Sequence, residues 1–255
     1  VNGKKYGFRN DGRMIDGLRF IKEDASGLDV MDDDDATYGY DNEDAFDEHA
    51  LELEAGDYYC YYFGSGDDGS MKTNKTTVEI DGDKFNFYFE KSGGKKGRGV
   101  TGEKDDKFYQ SGKLAKAGSD EKYQVVLKTS ATAFGGSADG YEKLDDAKDF
   151  LDYMRGNHAL NPTGAVNMLT TDLKGGITQP EADLLKAFNV TKKAEDLSEL
   201  YIIDYSLTGA EAESNFRLVN TSGKIIESKS KNKDGSDYYY VVNKGGKIVA
   251  LYVEN

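Results

Sequence analysis

Apolar and polar residues alternate over short runs along most of this chain, and the runs end at Asp, Asn or Ser beside Gly. Tyr6 and Phe8 lead through Asn10-Asp11-Gly12 to Met14 and Ile15, which predicts one hairpin over residues 1–20. From 51 to 128 the pattern is nearly continuous. Leu51 and Leu53 alternate with Glu52 and Glu54. Tyr59, Tyr61 and Phe63 then share one face of a strand, and Tyr58, Cys60 and Tyr62 share the other. Val78 and Ile80 turn at Asp81-Gly82 into Phe85, Phe87 and Phe89. Phe108-Tyr109 turn at Ser111-Gly112 into Leu114, and Tyr123 to Leu127 completes a meander of short hairpins. The glycines at 93, 94, 97 and 99 predict a loose loop.

The period changes between 129 and 205. Asp139 and Glu142 have capping-box spacing, Leu144, Ala147, Leu151 and Met154 follow at helical intervals, and Gly156 supplies a stop. A second helix starts near Pro180 and carries Ala182, Leu185 and Phe188 inward. Ala165, Val166, Leu169 and Leu173 predict a short third one. Strand patterning returns at 216–220, 224–228, 238–242 and 247–253, with turns at Lys233-Asp234-Gly235 and Gly245-Gly246. The stretch 21–50 is acidic, with Asp32 to Asp35 in a run and Asp41, Glu43, Asp44, Asp47 and Glu48 after it. Like charges at that density predict a solvated loop or a weak helix.

One unit recurs through these patterns. Tyr61-Tyr62-Phe63, Asp68-Gly69, Ser70 and Met71 form its fullest copy. Tyr6 to Met14, Phe108 to Leu114, Leu218 to Ile225 and Tyr240 to Ile248 are looser copies at irregular spacing. Repetition of a strand–turn–strand unit predicts an array. The expected fold class is α+β, mainly β. Solenoid-like β-hairpin repeats occupy 1–128, which includes the acidic segment 21–50, and 211–255. They flank a small helical insertion or α-rich subdomain at 129–210.

Composition narrows the function. With 33 basic against 47 acidic residues the formal charge is −14, which repels nucleic acid and anionic membranes. Eighteen tyrosines and no tryptophan suit half-exposed strands, a sugar-binding face, or small cores between hairpins. Cys60 stands alone, so neither an intrachain disulfide nor a thiolate zinc site can form, and in its aromatic run it reads as a small buried hydrophobe. No apolar run has the length of a membrane span. The chain opens in mid-pattern at Val1-Asn2-Gly3-Lys4 with no visible signal peptide, so it is expected to be a fragment of a longer precursor.

Catalytic signatures are missing. Neither His49 nor His158 has a nucleophile at a usable spacing, no Gly-x-Ser-x-Gly elbow occurs, and no P-loop or dinucleotide fingerprint is present. The acidic segment lacks the spacing of a calcium loop. Paired carboxylates of the 129–210 region could in principle serve a hydrolase, but acids so abundant carry no signal without geometry. The expectation is no catalytic residue, no metal and no cofactor.

Gly3-Lys4-Lys5-Tyr6-Gly7-Phe8 through Gly12-Arg13-Met14 resembles the cell-wall-binding (choline-binding-type) repeats of Gram-positive surface proteins. Tyr61-Tyr62-Phe63 through Gly69-Ser70-Met71-Lys72-Thr73 resembles them more closely. Asp81 to Phe85 and Lys107 to Leu114 match as well, and the C-terminal copies match more loosely, so that about half the chain is covered. The resemblance implies a hairpin solenoid at the bacterial surface, secreted or wall-associated. In choline-binding members aromatics cage a quaternary ammonium, with tryptophan the strongest cage wall. Here Leu18 follows Gly17, and Asn74-Lys75 follow the Met71 segment where that tryptophan belongs, so choline is not the expected ligand. The expected function is a non-catalytic module that attaches to teichoic acid, peptidoglycan or another glycan through Tyr6, Phe8, Tyr61, Tyr62, Phe63, Phe108, Tyr109 and Tyr239. The rivals are a structural spacer or adhesion module contacting proteins, and a hydrolase.

Overall fold

The computed structural model describes residues 3–9, 11–24, 27–29, 42–64, 68–130, 139–155, 168–170, 176–187, 189–203, 216–227 and 232–255. The chain is mainly β and forms two compact units. One holds 1–115 with 129–142, and the other holds 116–128 with 143–255. The division 1–128, 129–210 and 211–255 follows chain order, whereas these units exchange chain three times. The acidic run Asp32–Asp35, Asp41, His158, Phe188, Ala165, Val166 and Leu173 lie outside the described residues.

In the first unit a hairpin at the N-terminus closes through a Phe8–Met14 bridge. The next elements are β1 (Leu18–Asp24), β2 (Gly27–Asp29), α1 (Glu43–Ala55) and β3 (Tyr58–Tyr62). They give an antiparallel sheet in the order β2-β1-β3, with Phe20 opposite Cys60 and Leu18 opposite Tyr62. A second antiparallel sheet, ordered β4-β5-β8-β7-β6, comprises β4 (Asn74–Ile80), β5 (Asp83–Phe89), β6 (Gly102–Lys104), β7 (Lys107–Gln110) and β8 (Lys113–Leu114). The hairpin turns fall where the sequence puts them. Asp81 and Gly82 have φ of 49° and 85°, and Ser111 and Gly112 have 49° and 93°, the left-handed pair that a two-residue turn between twisted strands needs.

The period-2 face split of β3 is present. Cys60 joins Leu18, Phe20, Val78, Ile80, Phe87 and Phe89 in one core, and Tyr61 and Phe63 join Ile15 and Ile21 in another. Leu51 to Glu54 is not a strand, however; it is the last turn of α1. Asn42 accepts the Ala45 N–H at 2.8 Å as N-cap, Glu43 and Asp44 sit in the positive first turn, and Phe46, Ala50, Leu51 and Glu54 form the buried stripe. Four alternating residues satisfy a strand and a helix equally, and the Phe46–Ala50–Glu54 spacing decides for the helix. The 91–99 segment is not loose either. Gly99 donates its N–H to Cys60 O at 2.7 Å, and a Cβ there would overlap Ser111 O.

The chain then enters β9 (Tyr123–Ser130), β10 (Asp139–Leu144) and α2 (Ala147–Arg155). The capping box at Asp139–Glu142 is displaced: those residues are in β10. Asp146 caps α2 instead, accepting the Asp149 N–H at 2.7 Å while Asp149 accepts from Asp145 N at 3.1 Å. The same Asp-x-x-acid spacing occurs twice in eleven residues, and the second copy precedes the apolar stripe Ala147, Phe150, Leu151 and Met154.

The stretch 129–210 is not purely helical. Beside α2 and α3 (Gln179–Ala187) it holds β11 (Met168–Thr170), which contains Leu169, and β12 (Leu197–Ile203). β12 pairs with β16 (Ile248–Glu254) inside the sheet β11-β12-β16-β15-β14, with β14 (Asn232–Lys233) and β15 (Tyr238–Val242) completing it. β13 (Phe216–Asn220) pairs with β9. In α3 Leu185 is buried and Ala182 is exposed. One face of the large sheet packs Tyr240, Val242, Ile248 and Leu251 with the α2 stripe, and the other packs Val241, Ala250 and Tyr252 with Leu185 and Val190.

Phe46 is fully buried and Phe8 is 56 % exposed. Phe46→Ala should destabilise the first unit by about 3–5 kcal/mol, and Phe8→Ala should change stability by less than about 0.5 kcal/mol. Urea unfolding followed by tyrosine fluorescence checks both.

Candidate functional site

The eight aromatics named from the sequence fall into two groups. Tyr61, Phe63, Phe108 and Tyr109 are core residues, between 1 % and 6 % exposed. Tyr61 sends its hydroxyl to the Glu23 carboxylate, and burial with that acceptor pushes its pKa up. Phe108 stacks on Tyr141 at 4.8 Å, and Tyr109 packs edge-on against Tyr88. These four faces are covered by protein and cannot stack on a ligand. Their strands turn both faces to apolar layers, which the alternation pattern alone does not disclose.

Phe8 is exposed, and Tyr6, Tyr62 and Tyr239 are half-buried. Gly7 explains the first pair. A Cβ there would lie 3.0 Å from Ile15 Cδ1 and 3.2 Å from Phe63 Cε1, so Gly7 faces the core and Tyr6 and Phe8 point the other way. Tyr6 bridges to Ser70, and Met71 N donates to Lys5 O at 2.9 Å, which brings the turn of the 61–73 unit beside the N-terminal hairpin. Around it lie Lys4, Asp68 and Lys72. Lys72 and Ser70 hydrogen-bond to the Asp68 carboxylate and hold its pKa down at about 2. Tyr62 stacks on Phe89 at 6.3 Å, and Tyr239 lies flat on Tyr252 at 4.8 Å with Lys233 over its ring.

Two methionines lie against later glycines: a Cβ on Gly69 would overlap Met14 Sδ, and one on Gly97 would overlap Met71 Sδ. Glycine at these positions is therefore a packing requirement as well as a turn requirement.

Charged groups inside the first unit brace α1 and were not legible beforehand. Lys113 on β8 is buried, and its ammonium contacts Glu43 and both oxygens of Asp47 at 2.8 Å, one helical turn apart on α1. The rings of Phe46 and Phe85 flank it at 5.8 and 5.0 Å. Glu54, at the far end of α1, accepts from Thr101 Oγ1, Gln110 Nε2 and Ser111 Oγ at 2.5, 3.0 and 2.8 Å. Burial raises its pKa, and those donors with Arg98 work against the rise. Arg98 lies against the Tyr59 ring and pairs with Glu23 at 3.3 Å. The i, i+4 spacing of Glu43 and Asp47 was the available signal, but their partner is 66 residues downstream of Asp47.

The Cys60 thiol is buried, and its pKa is driven up by desolvation and by the Glu54 charge, the reverse of an activated thiolate. His49 stands on α1 beside Glu48 and Glu52. Among the described residues no three His, Cys, Asp or Glu side chains are placed to hold a metal ion, and no helix is long and apolar enough to cross a membrane. Comparison with protein families, with curated proteins and with solved structures finds no match for this chain.

The Lys113 brace makes an asymmetric expectation. Lys113→Met leaves two carboxylates facing one another and should cost about 1–3 kcal/mol. Glu43→Gln or Asp47→Asn leaves the ammonium one acid and should cost less than half as much. Thermal melts of the three variants measure the difference.

Proposed function

We propose that this chain is a non-catalytic module of a bacterial cell surface, docking on cell-wall polymer or another glycan through the outward aromatics of degenerate hairpin repeats. The observation that carries the reading is Phe8. It is the one large hydrophobic side chain exposed among the described residues, and Tyr6 stands beside it on the same strand face. A flat apolar ring with a half-buried tyrosine next to it offers a platform for the C–H face of a sugar. Lys4, Lys72 and Asp68 at its edge supply donors and acceptors for hydroxyls. The contact of Met14 with Gly69 packs the turn of the 61–71 copy against the 6–14 copy, as solenoid-like stacking of the two would require. One copy offers few contacts, so useful affinity comes from several copies on a polymer that repeats too.

A second reading is a spacer or adhesion module that contacts proteins. The burial of Tyr61, Phe63, Phe108 and Tyr109 favours it, because half of the eight named aromatics then build a scaffold.

Sedimentation with purified Gram-positive cell walls separates the two. Under the glycan reading the chain pellets with the walls, soluble wall polysaccharide releases it, choline does not, and Phe8→Ala with Tyr6→Ala lowers retention at least about fivefold. A chain that stays in the supernatant overturns the glycan reading.

A further inference from the structure

The second unit contains a cluster of acids that glycan docking does not use. Asn232 and Tyr240 are directly paired across β14 and β15, so Asn232, Asp234, Tyr238 and Tyr240 share one sheet face. Asp234 is 2 % exposed, and its Oδ1 accepts the N–H groups of Ser236 and Tyr238 at 2.9 and 2.8 Å, which shapes the 234–238 turn. Its Oδ2 is buried without a partner, as are Glu121 Oε2 and the hydroxyl of the fully buried Tyr240. Gly235 seats the turn: its N–H donates to Glu121 O at 3.0 Å, and a Cβ there would overlap Asp120 O.

The charges bearing on Asp234 come from three directions. Glu121 reaches it from the 116–122 segment, Asp146 from the N-terminus of α2, and the Tyr240 hydroxyl from β15. None of the three carboxylates has a cationic partner among the described residues. Lys233, the neighbouring cation, pairs with Asp237 at 2.8 Å and lies over Tyr239, a residue of the opposite sheet face. A bound metal does not supply the missing charge, since no three such side chains among the described residues are placed to ligate an ion. Asp234, buried with one unpartnered oxygen, with two half-buried acids bearing on it and no cation beside it, is tolerated in the fold when its carboxyl carries a proton.

We propose that Asp234 is a proton-controlled clasp: its protonated, buried carboxyl lets the 234–238 turn seat on the 116–122 segment beside Glu121 and Asp146, and loss of that proton weakens the seat. Burial, with Glu121 and Asp146 adding to it, raises the Asp234 pKa from 3.8 to about 6. An acid raised in the folded state favours folding fully below its unfolded value. That contribution is lost as pH climbs from 3.8 through about 6. A rise of that size corresponds to roughly a hundredfold in the folding equilibrium of this unit.

The test is urea unfolding of the full chain and of Asp234→Asn, whose Oδ1 keeps both turn hydrogen bonds, at several pH values from about 4 to about 8. The variant should gain roughly a hundredfold in folding equilibrium over wild type between those limits, with the step centred between about 4 and about 6. Glu121→Gln should move the step to lower pH. Identical pH profiles for wild type and Asp234→Asn overturn the proposal. Carboxyl NMR of the wild type gives a reading independent of variant folding, and an Asp234 titration in the ordinary aspartate range overturns it too. Millimolar calcium should leave neutral-pH stability unchanged, and stabilisation by calcium that Asp234→Asn abolishes would make the cluster a cation site instead.

Discussion

Each unit depends on driving a phenylalanine from one short helix into aromatic sheet faces. Short hairpins bury too little surface to be stable alone, and a sheet face left open to water contributes nothing. In the first unit Phe46 of α1 meets Phe20 of β1 at 5.5 Å and Phe87 of β5 at 5.6 Å, and Phe87 stacks on Phe89 at 5.7 Å. One helix thereby joins two antiparallel sheets that share no strand. In the second unit Phe150 of α2 meets Phe216 of β13 edge-on at 5.4 Å, and Tyr153 adds a second edge at 5.2 Å. Ring quadrupoles favour these tilted contacts, so aromatic content translates into a defined helix position as well as burial.

Polar groups set that helix position more tightly in the first unit than apolar contact could. Lys113 engages the first turns of α1 and the Thr101–Gln110–Ser111 donors engage Glu54 at its end. A buried ammonium and a buried carboxylate are each costly unless well met, so any slide of α1 along the sheet would strand one of them. In the second unit Asp234 meets no such partner among the described residues, and burial raises its pKa. Buried charge is thus handled in two ways in one chain: by fixed pairing where α1 is held, and by burial of an acid with a raised pKa where the 234–238 turn is seated.

Which aromatics reach the surface follows from the same allocation. Tyrosines and phenylalanines that build the sheets face inward from both sides of their strands, so an aromatic-rich repeat does not by itself present an aromatic surface. Gly7 creates the exception, because a strand residue without a Cβ can press on Ile15 and Phe63 while its neighbours Tyr6 and Phe8 turn outward.

Much of this was legible in the residues. The turns at Asp81-Gly82 and Ser111-Gly112, the face split of Tyr58 to Phe63, the alternation of Phe85, Phe87 and Phe89, and the burial of Cys60 are local consequences of backbone sterics and period-2 geometry, which sequence spacing expresses directly. A weak helix was one of the two readings of 21–50, and what stayed hidden was its extension to Ala55, because Leu51 to Glu54 fits two periods at once. What only the tertiary structure decided is which aromatics are covered and which charges meet. A strand's pattern marks two faces but not whether a second layer lies on each, and the partners of Asp47 and Glu54, like the acids that bear on Asp234, lie tens of residues away along the chain. Long-range packing settles those questions, since burial is a property of the neighbours a residue acquires rather than of the residue.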